Sequence, residues 1–335
     1  MTKVVLSDER VMLQGLARGI ATSAAASAFP GSPCPIAQDA WRLVVETGCL
    51  GLGIGESRGG SGGQAIDAGL VAEQFARGPL PVPFLGSALA LRLLDATGDV
   101  GAETMRAILS GEPAGVIVDS RLMHGGEPEL VIDARPSQLA IGLRGSMVVV
   151  GRAGPALESI DLMRPVSAID SIQREIADIG DDAVTRWHAF ALALACADLL
   201  GAMHAALDSA VGHAREREQF GHPIGSFQAV QHMCADALVS VEAARSICWN
   251  AVWAVDAQPA MEALHVARIA KAWCSEVALE VVEAAIQVWG GTGITWECPV
   301  HYLQRRVLLS RVLFGNEDHH FGEIAALLVD RPVNQ

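Results

Sequence analysis

The segment from residue 215 to residue 228 reads Arg-Glu-Arg-Glu-Gln-Phe-Gly-His-Pro-Ile-Gly-Ser-Phe-Gln and separates two long, apolar helical patterns. Glycine and proline are unfavourable in helix interiors, so Gly221 and Pro223 predict a break within this segment. The preceding helix ends there, and the next helix is expected to begin at Ser226 or Phe227. Two helices joined by so short a segment pack antiparallel, which predicts a helical bundle.

Side chains in this break suit a phosphorylated planar ligand. Arg217 offers a guanidinium that can bind a phosphate, and Phe220 offers a ring for the adjacent sugar or base. Backbone amides left free by the break would add further donors. A helix hairpin whose charged turn merely faces water would carry the same residues, so this segment alone leaves both interpretations open.

Three segments together resemble the acyl-CoA dehydrogenase family. Residues 217–228, which read Arg-x-x-Phe-Gly-x-Pro-Ile-x-x-Phe-Gln, are similar to its first signature. Residues 287–297, Gln-Val-Trp-Gly-Gly-Thr-Gly-Ile-Thr-Trp-Glu, look like its second signature at the expected distance. Residues 56–63, Glu-Ser-Arg-Gly-Gly-Ser-Gly-Gly, match a third motif. The chain is identified as a member of this family on these three segments together.

The resemblance implies FAD as cofactor and an acyl-CoA thioester as substrate. In this family the protein removes the α-proton of the thioester while the flavin accepts the β-hydrogen as hydride. The resemblance also implies that the two signatures reach across a subunit interface to the dinucleotide that a neighbouring subunit holds. The resemblance gives FAD-contacting roles to the following positions: Arg217, Phe220, Gly221, Gln228, Gln287, Gly290 and Gly291.

The sequence predicts a mainly α protein with a small central β domain. Residues 1–112 are interpreted as an N-terminal helical domain, residues 113–182 as a shortened middle β domain, and residues 183–335 as a C-terminal four-helix bundle that carries the FAD-contacting signatures. The resemblance implies the acyl-CoA dehydrogenase fold for this order of domains, with a truncated middle β barrel.

Apolar periodicity and chain-breaking residues give the individual elements. Helices are expected at residues 8–26, 36–47, 65–77, 84–96, 182–218, 227–256, 259–289 and 308–328, the last of them interrupted. The helix at 84–96 is expected to be the last of the N-terminal domain. Strands are expected at residues 115–118, 130–132, 138–143, 146–150, 157–163 and 172–179.

The predicted β domain lacks the segments by which the family holds the flavin ring. A Thr-Glu-Pro-type segment and a tryptophan-containing turn have no counterpart between residues 113 and 182, and no tryptophan occurs between Trp41 and Trp187. Residues 161–165, Asp-Leu-Met-Arg-Pro, resemble the strand that closes this domain in actinobacterial relatives. The resemblance therefore implies an incomplete flavin site.

The family's catalytic carboxylate also has no counterpart in this chain. In most members it is a glutamate followed by glycine beyond the second signature, and that position is Phe314. A second family solution lies nine residues before the glycine equivalent to Gly201, and that position is Leu192. The fallback candidate is Glu317, which a three-residue shift could bring inward. We expect it to be solvated together with its polar neighbours: Asn316, Asp318, His319 and His320.

Composition and residue spacing argue against several kinds of partner and site. The chain of 335 residues has a net charge of −14, and its pI near 5.1 argues against nucleic-acid binding. Its seven cysteines include no CxxC pair, and the four on apolar helix stretches are interpreted as buried thiols in a reduced cytoplasm: Cys196, Cys234, Cys248 and Cys274. Residues 189–211 carry polar side chains, which favours a buried bundle helix over a membrane span. No metal site is predicted, since the adjacent His319 and His320 should diverge.

Three functions follow from these observations. In the first, the chain is the base-lacking subunit of a heterotetrameric (α2β2) acyl-CoA dehydrogenase that acts on a bulky, for example steroid-derived, CoA ester. In the second, the chain forms a complete homotetrameric enzyme in which Glu317 is a displaced base. In the third, it is a non-catalytic scaffold that binds no flavin.

Overall fold

The N-terminal part of the computed structural model is helical; the structure describes residues 6–25, 35–119 and 129–329. Helix α3 is buried over its whole length at the centre of this part. The short helix α5 was not predicted, because its eight residues are flanked by glycine-rich turns that favoured a connection. The helices are α1 (Asp8–Ala25), α2 (Gln38–Glu46), α3 (Ala65–Phe75), α4 (Phe84–Ala96) and α5 (Ala102–Leu109).

The middle part forms a closed barrel in the strand order β1-β2-β5-β4-β3. Strands β1 and β3 are parallel, and the other neighbours are antiparallel. The barrel has its own small apolar cluster, which includes Ile117, Val131, Ala140 and Val149. The strands are β1 (Ala114–Asp119), β2 (Glu129–Ile132), β3 (Leu139–Arg144), β4 (Met147–Leu157) and β5 (Val166–Asp178).

The strand predicted at residues 157–163 is wrong. Leu157 is the last residue of β4, and the chain then runs irregularly to β5, so the segment that resembles a closing strand is a loop. Side-chain bonds replace strand pairing there. The buried carboxylate of Asp161 accepts the backbone N–H of Met163 at 2.9 Å and pairs with Arg306 at 3.3 Å.

The C-terminal part is a helical bundle in which α8 packs against both α6 and α7. Helix α9 begins directly after Pro299, earlier than the start predicted at residue 308. The predicted interruption lies at residues 311–316, between α9 and α10. The helices are α6 (Gly180–Glu216), α7 (Gln228–Ala257), α8 (Ala260–Trp289), α9 (Val300–Ser310) and α10 (Glu317–Val329).

Within the residues that the structure describes, two helical segments are long and apolar enough to cross a membrane by length and composition alone. In α6, 94% of the apolar window is buried inside the protein, as expected for the core helix predicted at residues 189–211. In the segment Ala260–Ile294, which contains α8, 39% of the apolar window is buried.

Arg164 joins the three parts of the fold through a buried network of ion pairs. From the loop between β4 and β5, its guanidinium reaches Asp133 of the barrel at 3.2 Å and Asp198 of α6 at 2.9 Å. It also donates to the hydroxyl of Ser310 on α9 at 3.0 Å. The other oxygen of Asp133 accepts the backbone N–H of Gly86 on α4 at 2.8 Å. One arginine thus links the N-terminal helices, the barrel and the bundle.

Charge balance in this network depends on Arg164. Burial raises the pKa of Asp133 despite the attraction of the guanidinium. Burial would also raise the pKa of Asp198, but the attraction of Arg164 and Arg306 outweighs it and lowers that pKa. Without Arg164, both carboxyl groups would remain buried beside each other with much less compensation.

We predict that Arg164→Met destabilises the protein by about 3–5 kcal/mol, because removing one partner leaves buried charge without compensation. The matched control is Arg144→Met, which removes a pair with Glu129 from a side chain that is 52% exposed. The control should cost less than about 1 kcal/mol. Urea unfolding of both variants at one protein concentration measures the difference. Equal losses would contradict the proposed role of the network.

Candidate functional site

The break between α6 and α7 folds as a β-hairpin. Strand β6 (Glu218–Gln219) pairs with β7 (His222–Pro223), and Phe220 and Gly221 form the loop with φ values of 55° and 78°. Positive φ at both loop positions is typical of a type I′ turn, although it is uncommon for phenylalanine. The ring of Phe220 is 90% exposed and makes an edge contact with the ring of Phe227. The turn therefore projects an aromatic ring outward.

The hairpin leaves fewer backbone groups free than the sequence suggested. The N–H of Ile224 donates to the carbonyl of Arg217 at 2.8 Å, which closes the base of the hairpin. A short 3-10 turn follows, and α7 begins at Gln228 rather than at the predicted Ser226 or Phe227.

Residues of both signatures line one cavity of about 780 Å³, which we call the signature cavity. Arg217 follows the last residue of α6, and Gly290 and Gly291 follow α8. In its wall, the rings of His213 and Trp289 stack with centroids 4.0 Å apart. Burial and the neighbouring Arg217 lower the pKa of His213, which favours a neutral ring. The remaining lining residues are Thr292, Thr295, Glu297 and Cys298.

Three of the predicted FAD-contacting positions thus meet in the signature cavity. The other four are exposed and lie outside its described lining. Exposed groups can contact a ligand only where it extends out of the cavity or is held by another molecule. These four residues are Phe220, Gly221, Gln228 and Gln287.

A second cavity, of about 220 Å³, lies between the barrel and the bundle, and we call it the barrel–bundle cavity. Leu192 on α6 and Phe314 between α9 and α10 both line it, although they are far apart in sequence. The two positions where the resemblance places a base are therefore brought together, and both side chains are apolar. The other lining residues are Ile117, Val118, Asp119, Leu143, Trp187, His188, Leu264, Arg268, His319 and His320.

A buried lysine holds the turn that carries Phe314. The amine of Lys271 on α8 donates to the carbonyls of Arg311 at 2.7 Å and Gly315 at 3.0 Å, and to the hydroxyl of Ser275 at 3.0 Å. Phe314 adopts a φ of 61°, so the turn needs such external support. Burial lowers the pKa of Lys271 to about 8. The sequence analysis missed Lys271, although a charged residue on an apolar helix face was the available signal.

Glu317 lies outside the described lining of the barrel–bundle cavity. It begins α10 and forms an ion pair with Arg311, and its side chain is only 16% exposed, so the expectation of a solvated acid was wrong. Burial would raise the pKa of Glu317, but its backbone hydrogen bond and Arg311 lower it overall. A lowered pKa makes a carboxylate a weaker general base. Among the described residues that line the barrel–bundle cavity, Asp119 is the one that carries a carboxylate. The sequence analysis missed it.

Two further expectations about this region were wrong. His320 and Asn316 are buried rather than solvated. The rings of His319 and His320 lie 5.0 Å apart and both line the barrel–bundle cavity, so the two side chains do not diverge. The helical turn at the start of α10 places both residues on the cavity side.

Comparison with known proteins identifies the family. Residues 188–329 match the family described as acyl-CoA dehydrogenase, C-terminal domain. Acyl-CoA dehydrogenase IpdE2 of Mycolicibacterium smegmatis is 30% identical over 320 residues, which cover 92% of this chain and 96% of that protein. The chain belongs to the acyl-CoA dehydrogenase family. IpdE2 of Mycobacterium tuberculosis is also 30% identical, over 89% of this chain and 91% of its own length.

Solved structures of acyl-CoA dehydrogenases share the fold. A Tcur3481-Tcur3483 steroid ACAD variant superposes with a TM-score of 0.79 at 24% identity, over 96% of this chain and 98% of that one. The ChsE4-ChsE5 complex from Mycobacterium tuberculosis gives a TM-score of 0.79 at 21% identity, over 99% of this chain and 100% of that one. The predicted acyl-CoA dehydrogenase fold, mainly α with a small central β domain, is confirmed.

Proposed function

We propose that this chain is the base-lacking subunit of a heteromeric, α2β2 acyl-CoA dehydrogenase. One observation carries the proposal: Leu192 and Phe314, the two positions where the resemblance places the base, line the same cavity. Neither side chain can accept the α-proton of a thioester. In an assembly of two kinds of subunit, the partner would supply that carboxylate. Family membership supports acyl-CoA dehydrogenation as the reaction of the whole assembly.

The signature cavity fits the nucleotide part of FAD. Arg217 supplies a cation that can bind a phosphate of the pyrophosphate. Gly290 and Gly291 lack side chains, which lets a ligand approach the backbone closely. Bound FAD would accept the hydride, while this chain would hold and orient the dinucleotide. The missing flavin-ring segments in residues 113–182 support the idea that a partner holds the ring.

Exposed apolar surface supports a multi-subunit assembly. Several large apolar side chains on α7 and α8 remain exposed, and exposed apolar surface is covered when subunits associate. The exposed ring of Phe220 at the hairpin tip would then be covered by the neighbouring subunit. The exposed residues on these helices are Leu238, Val239, Trp253, Met261, Ile269 and Trp273.

Relatives support the finer points of the proposal. The Tcur3481-Tcur3483 protein is described as a steroid ACAD, and ChsE4-ChsE5 is described as a complex. By likeness, we propose a bulky, steroid-derived CoA ester as the substrate of the assembly. We also propose a cytoplasmic location, since all six cysteines within the described residues are unpaired thiols and fit a reducing compartment.

A complete enzyme with its own base is the second candidate. The observation that favours it is the position of Asp119, which lines the barrel–bundle cavity together with the two positions where the resemblance places the base. Asp119 is better placed for that role than Glu317, which is paired with Arg311 outside the cavity lining. A scaffold that binds no flavin is less favoured, because the signature cavity has the groups that a dinucleotide needs.

We predict that the purified chain alone retains little FAD and that a co-encoded acyl-CoA dehydrogenase subunit restores stoichiometric flavin. The reason is that the chain has the nucleotide contacts but lacks the family's flavin-ring segments. Flavin absorbance per chain, with and without the partner, measures this. A yellow, FAD-saturated homo-oligomer of this chain alone would rule out the heteromer.

We predict that Arg217→Ala weakens FAD retention in the assembled complex without unfolding the bundle. Loss of one charge-assisted phosphate contact costs about 1.5–3 kcal/mol, or roughly a 10- to 150-fold loss in affinity. Arg215→Ala is the matched control, because Arg215 lies two residues away and outside the signature cavity. An unchanged FAD affinity for Arg217→Ala would make Arg217 a hairpin charge only.

We predict that Glu317→Gln and Asp119→Asn leave dehydrogenation by the complex nearly intact, because the base belongs to the partner. The measurement is anaerobic flavin bleaching with a CoA thioester, with wild type and variants saturated in FAD. Loss of a general base lowers turnover by roughly 10²- to 10⁴-fold. A fall of that size in either variant, with flavin still bound, would assign the base to this chain and favour the complete enzyme.

A further inference from the structure

We propose that His213 is a second phosphate-binding residue of the signature cavity, that it acts together with Arg217, and that it does so in its protonated form. Nucleotide binding is then coupled to the uptake of a proton from solvent. The inference rests on the proposed function, because it takes the occupant of this cavity to be a dinucleotide. His213 precedes the first signature and belongs to neither of the two, so its place in the fold carries the inference.

The end of α6 brings His213 and Arg217 into the lining of the same cavity. The backbone N–H of Arg217 donates to the carbonyl of His213 at 2.8 Å, which closes the last turn of the helix. Side chains four residues apart on a helix are neighbours on its surface. A phosphate that is held by the guanidinium of Arg217 therefore has the imidazole of His213 beside it.

Trp289 fixes the ring of His213 in this position. The two rings stack with centroids 4.0 Å apart and an angle of 17° between their planes. The indole N–H of Trp289 donates to the hydroxyl of Ser209 on α6 at 3.0 Å, which anchors the indole in turn. Stacking uses a face of the imidazole and leaves the nitrogens at the ring edge to a ligand. A protonated imidazole also stacks on an indole, through a cation–π contact, so the ring keeps its place in both protonation states.

The charges in the cavity favour a second cation once a diphosphate is bound. In its lining, Arg217 contributes one positive charge and Glu297 one negative charge. The pyrophosphate of a dinucleotide adds a negative charge on each phosphate, so the occupied cavity carries an excess of negative charge. Among the described residues that line the cavity, His213 is the one whose side chain takes up a proton near neutral pH.

The neighbouring groups, from α6 and from the turn after α8, set the direction of the pH dependence. In the free cavity, burial and Arg217 lower the pKa of His213, while Glu216 acts in the opposite direction. A bound diphosphate adds negative charge and raises that pKa. The affinity therefore increases as the pH falls through the pKa of the bound state, and it levels off below the pKa of the free state. Hydrogen bonds lower the pKa of Glu297 and burial raises the pKa of Cys298, so neither group changes its charge near neutral pH.

Two probes test the proposal by calorimetric titration of the full chain: ADP-ribose, whose diphosphate keeps a constant charge near neutral pH, and adenosine, which has no phosphate. We expect ADP-ribose to bind roughly 3-fold more tightly at about pH 6 than at about pH 8, the size typical of a partly exposed ion pair, and adenosine to show no such change. An NMR titration of the His213 ring should give a higher pKa with ADP-ribose bound. Absence of ADP-ribose binding, an affinity that is independent of pH, or an equal pH dependence for adenosine would overturn the proposal.

Variants assign the proton to the residue. His213→Phe keeps a ring that can stack on Trp289 but takes up no proton, so its affinity for ADP-ribose should be the same at both pH values. His213→Arg carries a permanent cation and should bind tightly at both. His222→Phe, at an exposed position outside the described lining, is the matched control and should keep the wild-type pH dependence. A pH dependence that survives in folded His213→Phe would refute the assignment. Failure of the proposed function would show separately, in FAD retention with and without the partner.

Discussion

The buried guanidinium of Arg164 is the interaction on which the arrangement of the three parts depends. Its two carboxylate partners come from the barrel and from α6, and one of them also fixes the backbone of α4. Charges this deeply buried are tolerated only when each partner is in place. The barrel can therefore occupy one orientation on the bundle, and that orientation sets the space between them.

The two cavities depend on this junction to different degrees. The signature cavity is built from the ends of α6 and α8 and from the turn after α8, so it belongs to the bundle alone. The barrel–bundle cavity takes residues from β1 and β3 on one side and from the bundle on the other, so its shape follows the junction. The two cavities can thus change separately, because a change at the junction alters the shape of the barrel–bundle cavity and leaves the signature cavity as it is.

The sequence predicted the helices well because apolar periodicity and breakers are local signals; α4, for example, has the predicted bounds Phe84–Ala96. It failed where distant side chains decide the structure. Residues 157–163 alternate between polar and apolar side chains as a strand does, but the buried hydrogen bond and ion pair of Asp161 stabilise a loop there. Glu317 lies in a polar segment and was expected to be solvated, but it forms an ion pair with Arg311. Family resemblance pointed to Leu192 and Phe314, whereas Asp119 was missed because only folding brings it into the cavity that those two residues line.

The amine of Lys271 can hold the turn that carries Phe314 in either of its protonation states. A charged Lys271 has three hydrogens for three acceptors: two backbone carbonyls and the hydroxyl of Ser275. With a pKa of about 8, the amine also exists in its neutral form near physiological pH. It then has two hydrogens for the carbonyls and a lone pair that can accept the hydroxyl of Ser275. The two carbonyls keep their bonds to the amine in both protonation states, while the hydroxyl of Ser275 turns from the carbonyl of Arg311, 3.3 Å away, to the amine. The turn that carries Phe314 therefore stays attached to α8 across this pH range.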